Sequence, residues 1–446
     1  MTRVDNVDEA SDTNESETPS TSFGLPRPSA TLAALTTSAL ALPGMVGPAR
    51  ADAPIERASA SSSFSYYFED DLPDRKFESG TGDQERYEVF TKQLRFDIPT
   101  SERTDIGIDF LYEEMSGASP WYVTFDSTSG STLQVMSGAT IEDERFDASI
   151  DIDYYLDEGK DTFSTGVSKE NDYLSLHWGL AAERSYNDKN TTASLSGSFA
   201  YDWVEPTDGG TLGRIVKDNK WSVDLFAGIS QIVSRSSTVQ FTVNYKHAEG
   251  FLNDPYKLIS IIGPGGTNLP DVRPDSRELV SMMARYRHHF EDVEASIHAD
   301  YRLFFDDWGT VSHTLEVAWY QRVFDWLTIT PGLRWYSQSK ADFYEPFLDP
   351  TATIPDEHSS DFRLSPFGAV SAKIKADVEI IDLFEYNPSS FAESLGITEG
   401  VDLIATFSYE RYMSDGHFGI QSLGEFEQAP GLVNFNVIAF SLSGRF

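Results

Sequence analysis

From residue 59 to its end the chain alternates apolar and polar positions in segments of about a dozen residues, broken by stretches rich in Gly, Asp, Asn and Ser. Alternation of period two places successive side chains on opposite faces of a strand. Sixteen strands are predicted, over 59–68, 85–98, 103–113, 144–155, 160–168, 172–186, 191–203, 219–233, 237–248, 278–290, 293–305, 310–323, 326–337, 363–377, 400–412 and 434–446. Most have the roughly 9–11 residues a tilted strand needs to cross a bilayer, or a few more. In the last, Ile438, Phe440, Leu442 and Phe446 share one face, and Ser441, Ser443 and Arg445 the other. Soluble proteins rarely expose an aromatic at the end of such a strand. The closing strand of an outer-membrane barrel shows lipid an apolar face, and this ending resembles the C-terminal signal read by the barrel-assembly machinery.

The connections support the same reading. Short ones, such as 99–102, 157–159, 187–190 and 291–292, alternate with long ones, such as 114–143, 249–277 and 338–362. Short periplasmic turns alternating with long extracellular loops are the barrel pattern. The expected fold is all-β: a transmembrane antiparallel up-and-down barrel of about sixteen strands with long extracellular loops. The even count puts both termini in the periplasm. Trp203, Trp221, Trp308 and Trp335 then fall at outer strand ends, and Trp319 and Trp326 at the inner edge, as two aromatic girdles. Two outer connections, 169–171 and 306–309, are unexpectedly short. One inner connection, 378–399, is long and is expected to hold a helical turn around Ser389 to Leu395.

Ahead of the strands, residues 1–28 are acidic, rich in Ser and Thr and without periodicity, and read as disordered. Residues 29–51 read as a signal peptide: an apolar stretch from Leu32 to Leu42, then Ala49-Arg50-Ala51 as a cleavage site. Residues 52–446 form one barrel domain. The net charge of −37 makes nucleic acid a poor partner; outer-membrane lipid and lipopolysaccharide are the expected surroundings. The absence of cysteine excludes disulfides, thiolate metal sites and a cysteine nucleophile.

Alternation also sorts the charges. Asp105, Asp109, Glu113, Asp147, Asp151 and Asp153 are expected to line an acidic wall of the lumen, and Arg285, Arg287, Arg302, Arg322 and Arg334 a basic wall roughly opposite. Facing walls of opposite sign make a transverse field that orients small polar solutes. The other reading is that these charges pair with neighbours, among them Glu294, Asp300 and Glu316, and merely fill the lumen. His247 beside Glu249 could serve a rim hydrolase, but no serine stands in a nucleophile motif, and no catalytic residue is assigned. Asp151, Asp153, Asp157, Glu158 and Asp161 lack the Gly and terminal Glu spacing of a calcium loop, so no metal site and no cofactor is expected.

Several segments resemble one family when taken together: Ser116-Gly117-Ala118-Ser119-Pro120, Asn253-Asp254-Pro255-Tyr256-Lys257, Asp271-Val272-Arg273-Pro274-Asp275, Arg287-His288-His289-Phe290 and Ser337 to Tyr344, which includes Asp342. They are similar to the proteobacterial family known as domain of unknown function 3570. The resemblance implies an outer-membrane barrel encoded near thioredoxin-like proteins, small lipoproteins and flavin transferases, hence periplasmic redox or lipoprotein partners. Most of these motifs fall in or beside the large loops, which are expected to fold into the mouth or lumen and create a site. The expected function is a porin-like channel or transporter for a small polar or charged solute. The rivals are a plugged scaffold or exporter component for redox or metal-handling partners, and a rim hydrolase using His247.

Overall fold

The structure, a computed structural model, describes residues 55–446 apart from 79–81, 127–129, 138–142, 208, 212, 264–265, 381–401 and 421–428. The acidic extension, the signal segment and the helical turn expected near Ser389 lie outside the described residues. Sixteen strands close into one antiparallel barrel. In chain order they are β1 (Ser59–Glu69), β2 (Glu88–Ser101), β3 (Thr104–Ser116), β6 (Asp143–Leu156), β7 (Gly159–Lys169), β8 (Tyr173–Tyr186), β9 (Thr191–Val204), β10 (Asp218–Ser234), β11 (Ser237–Gly250), β14 (Ser276–Phe290), β15 (Ala295–Asp306), β16 (Val311–Phe324), β17 (Leu327–Gln338), β18 (Phe367–Glu379), β19 (Asp402–Asp415) and β20 (Phe435–Arg445). Two small hairpins, β4 (Pro120–Asp126) with β5 (Ser131–Met136) and β12 (Leu258–Ser260) with β13 (Asn268–Pro270), sit in the long loops. Pairing of β1 with β20, from Ser59 opposite Arg445 to Glu69 opposite Phe435, closes the sheet and leaves no edge.

All sixteen predicted strands are present, with shifted ends. β15 starts at Ala295 because 291–293 forms a 3₁₀ turn and Glu294 takes a left-handed conformation, φ 48°. β18 starts at Phe367, later than the expected 363, because Phe362–Leu364 is a 3₁₀ turn capped by the Asp361 side chain.

Register gives every strand an inner and an outer face. Leu180, Leu195 and Leu333 are 67%, 64% and 68% exposed, and with Phe241, Phe407 and Phe440 they belong to the outer set. The inner set is polar: Ser61, Ser63 and Ser65 on β1, Gln93 and Arg95 on β2, Ser194, Ser196 and Ser198 on β9, Gln240, Thr242 and Asn244 on β11. An apolar outside, a polar inside and a closed ladder make a membrane-spanning barrel. Outer aromatics stack in rows, Trp178 on Phe199 and Phe199 on Trp221 near the loop end, Phe290 on Trp319 near the turn end. Trp308 corrects the expected girdle. It is 4% exposed, donates from Nε1 to the Ser276 carbonyl at 2.9 Å, and packs on Phe343 inside the loop assembly.

The outer face gives a direct test. Leu180→Arg should cost about 2–4 kcal/mol of stability in lipid, whereas Ser196→Arg, on the lumen side, escapes that penalty and should cost clearly less. Urea titrations of the two variants refolded in bilayers measure the difference; equal losses would contradict this assignment of faces.

Candidate functional site: a charged lumen under a folded lid

The long loops form a packed lid across the loop end. Lys257, after β11, donates from Nζ to the Pro120 carbonyl at the start of β4. Tyr256 donates its hydroxyl to Asp172, between β7 and β8. Arg86, before β2, lies 5.7 Å from the ring of Phe362, before β18. Contacts between loops anchored so far apart around the barrel can only be made over its mouth. Leu72, Ala118 and Met136 form one small core of the lid, and Trp308, Ala341, Phe343, Tyr344, Phe362, Leu364 and Ala429 another. Beneath it the inner faces of β1, β2, β3 and β20 turn apolar through Tyr67, Val89, Met115 and Val437.

A buried ionic chain ties the lid together. Arg363 Nη2 donates to Asp254 at 2.6 Å and Arg363 Nε to Asp361 at 2.8 Å; Arg273 Nη2 donates to the same Asp361 at 2.9 Å and Arg273 Nε to Asp271 at 2.6 Å. Burial alone would raise the Asp361 carboxyl, but Arg363, Arg273 and Lys257 hold it well below the usual carboxylate range. Burial pulls the Lys257 ammonium down to about 8 against the opposing Asp361 and Asp254.

The loop motifs therefore converge. Ser116 ends β3, Gly117 turns the chain, Pro120 accepts from Lys257, and Asp254, Pro255 and Tyr256 form a corner fixed by the Asp254 Oδ1 bond to the Tyr256 amide at 3.1 Å. Arg273 lies in the ionic chain, the Asp342 amide donates to the Trp308 carbonyl at 2.8 Å, and Tyr344 is 1% exposed. Gly117 has φ +106°, and a Cβ there would lie 2.2 Å from the Arg86 carbonyl oxygen. Gly117→Val should cost at least about 1–3 kcal/mol from backbone strain alone. Faster hydrogen exchange in residues 82–87 and 116–122 would register it, and unchanged protection would refute it.

Below the lid, the walls are more divided than alternation suggested. On the acidic side Asp109, Asp147 and Asp151 occupy the middle. Asp109 is held by Gln93 Nε2 at 2.9 Å, and Asp151 lies 3.3 Å from Arg95. Asp105 and Asp153 sit at the turn end, where the Ile55 amide donates to Asp105 at 3.1 Å and Lys160 pairs with Asp153 at 3.1 Å. Glu113 is enclosed under the lid, 3.5 Å from Arg145. On the basic side Arg287 pairs with Asp300, Arg285 with the same Asp300 at 3.5 Å, and Arg334 with Glu316 at 2.9 Å and Glu410 at 3.7 Å. Pairing within the wall thus accounts for most of these charges. Arg322 leaves the wall altogether: a bulge after it turns its Nη2 to the Asp325 carbonyl at 2.9 Å, in the turn.

Two cations remain. Arg302, solvent-exposed although it points into the lumen, and Lys373, opposite Glu410, make no ion pair or hydrogen bond among the described residues. Lys373 borders a recess walled by Arg334, Lys375 and the small residues Ala318, Gly332 and Ser371. By strand order, β14 to β16 lie across the barrel from β2 to β6, and β17 and β18 across from β7 and β8. His247 faces outward at the rim, 3.7 Å from Glu249 and 3.6 Å from Glu278, and packs on Trp221.

Sequence reasoning did not single out Asp361, Arg363, Lys373, or the acids Glu170 and Asp172; Asp143 it took with its neighbours as a solvated loop acid. Pro366, which fits a membrane strand poorly, was the available sign that 361–366 belongs to the lid.

The model of the family described as "Protein of unknown function (DUF3570)" matches residues 32–390. No curated protein matches the chain. Among solved structures, CdiB from Acinetobacter baumannii aligns with TM-score 0.44 and 8% identity over 87% of this chain and 60% of that one. A FadL homologue from Pseudomonas aeruginosa aligns with TM-score 0.36 and 11% identity over 88% and 90% of the two chains. The siderophore receptor PirA from Pseudomonas aeruginosa aligns with TM-score 0.39 and 8% identity over 80% of this chain; the match spans only 56% of the receptor.

Proposed function

The chain belongs to the DUF3570 family of proteins of unknown function, and on that footing we propose that it is an outer-membrane barrel of a Gram-negative bacterium that passes a small polar or charged solute through a lidded lumen. The loop end then faces outward and both termini face the periplasm. The observation that carries the reading is the pair of cations, Arg302 and Lys373, that make no ion pair or hydrogen bond among the described residues, inside a polar lumen. A charge kept inside a barrel with no direct ion pair requires water or a ligand beside it. Arg302 and Lys373 would draw the negative end of a solute, and Asp109, Asp147 and Asp151 across the lumen would draw the positive end. The recess beside Gly332 gives the solute room against the basic wall.

Planar-bilayer recording tests this. Stable conductance is expected, and Arg302→Glu should shift the reversal potential in a salt gradient toward cation preference by severalfold in permeability ratio. Unchanged selectivity in a conducting variant would sink the proposal. The closed lid favours a second reading, a plugged barrel serving as scaffold or exporter component for periplasmic redox or lipoprotein partners. A wild-type protein silent in the bilayer, and still silent after proteolysis of the lid, would favour it.

A further inference from the structure

Asp143 opens β6, and Glu170 and Asp172 lie in the short connection between β7 and β8, so neighbouring strands bring three acids to one point on the rim. Each offers a carboxylate oxygen, and these oxygens lie within 4.8 Å of one another. All three residues are buried. The Glu170 side chain is 2% exposed, and its Oε2 has no hydrogen-bond partner. Arg145 Nε stands 3.9 Å from Glu170 Oε1, beyond hydrogen-bond reach, and that guanidinium is shared with Glu113 at 3.5 Å and Asp147 at 3.9 Å. Other groups orient the acids. Asn171 Nδ2 donates to Asp143 at 2.8 Å, the Glu144 amide donates to it at 3.0 Å, and the Tyr256 hydroxyl of the lid donates to Asp172.

The unpartnered Glu170 Oε2, buried and held beside two further buried carboxylates, calls for a positive charge at this point. We propose that Asp143, Glu170 and Asp172 form a site for a hard divalent cation of calcium size, which clamps the lid to the barrel rim through Tyr256. Calcium binds oxygen at about 2.3–2.6 Å, so oxygens up to 4.8 Å apart can share one ion between them. Magnesium demands a near-ideal octahedron and dehydrates reluctantly, so three fixed protein carboxylates suit it less well. The site stands independently of what the lumen passes.

Burial pushes the Glu170 carboxyl up to about 8 against the opposing Arg145, with Asp172, Asp143 and Glu113 adding to the rise; Lys220 of β10 also faces it.

Calorimetry on the full chain, stripped with chelator in detergent and titrated with CaCl2, tests the proposal. Expected are one ion per chain, a dissociation constant on the order of 10⁻⁵ M, and binding of MgCl2 at least about tenfold weaker. Glu170→Gln should weaken calcium at least about tenfold, whereas Asp356→Asn, on an exposed loop, should leave it unchanged. Wild-type protein that takes up no calcium, or Glu170→Gln that binds it as tightly as wild type, overturns the site. If Glu170→Gln does not assemble, Asp172→Asn replaces it with the same expectation, and the wild-type stoichiometry still decides.

Discussion

Asp361→Ala is expected to release the lid while the barrel stays closed. Asp361 is 1% exposed, bridges Arg273 and Arg363, and caps the 3₁₀ turn that leads into β18. Truncating it leaves two buried guanidinium groups facing each other with the shared carboxylate gone. Removing one partner of a buried ion pair costs about 3–5 kcal/mol. Each 1.4 kcal/mol is about a factor of ten in an equilibrium, so the open lid should become roughly a hundredfold to several thousandfold more populated. The barrel ladder does not depend on these groups, and its heat-modifiable mobility on gels should persist. Thermolysin cleavage within 339–366, governed by the open population, should accelerate accordingly, with the exposed Asp356→Ala on the same loop as the neutral comparison. Cleavage of Asp361→Ala at the wild-type rate would show that the ionic chain does not hold the lid.

Arg145→Ala should be comparably severe, for the opposite reason: it leaves acids without their cation. Arg145 is the guanidinium placed among Glu113, Asp147 and Glu170, and its Nε also donates to Ser168 at 2.9 Å. The Glu113 side chain is 0% exposed and that of Glu170 2%. Without Arg145 both must take up protons or remain ionised in a dry setting, at a cost of about 3–5 kcal/mol. The measurement is the denaturant midpoint in chelator, so that no cation substitutes for the guanidinium. The loss should shrink at low pH, where these carboxyls are protonated in the unfolded chain as well. A midpoint unmoved from wild type would mean that the rim tolerates the bare acids.

The sixteen strands were legible because strand periodicity is local: each residue declares its face relative to its two neighbours. Ile438, Phe440 and Leu442 do so in β20, and Val239, Phe241 and Val243 in β11. Where local signals compete, the reading slipped. Arg322 keeps the inward parity of β16, but the bulge and turn after it take its side chain to Asp325. Trp308 has the position of a girdle residue, yet Phe343 and the Ser276 carbonyl hold it inside the lid.

The candidate site was legible as a set of polarities and not as a set of partners. Alternation alone puts Asp109, Asp147, Asp151, Arg285, Arg302 and Arg334 on the lumen side, because side-chain direction is fixed within a strand. Which of them pair depends on the neighbouring strand and its register, and that is why Arg334 is engaged and Arg302 is not. The lid goes further still. Asp254 and Arg363 are 109 residues apart, Arg273 and Asp361 88, and Lys257 and Pro120 137. No periodicity relates residues at such separations; they meet because barrel closure brings the ends of distant strands around one mouth. By itself, then, the sequence determined a closed barrel, its two faces and its loop lengths, all consequences of local alternation. Only the tertiary structure decided that the loops pack over the mouth through a buried ionic chain, that Asp143, Glu170 and Asp172 share one point, and that Arg302 and Lys373 make no ion pair among the described residues, since each depends on which strand ends lie together in space.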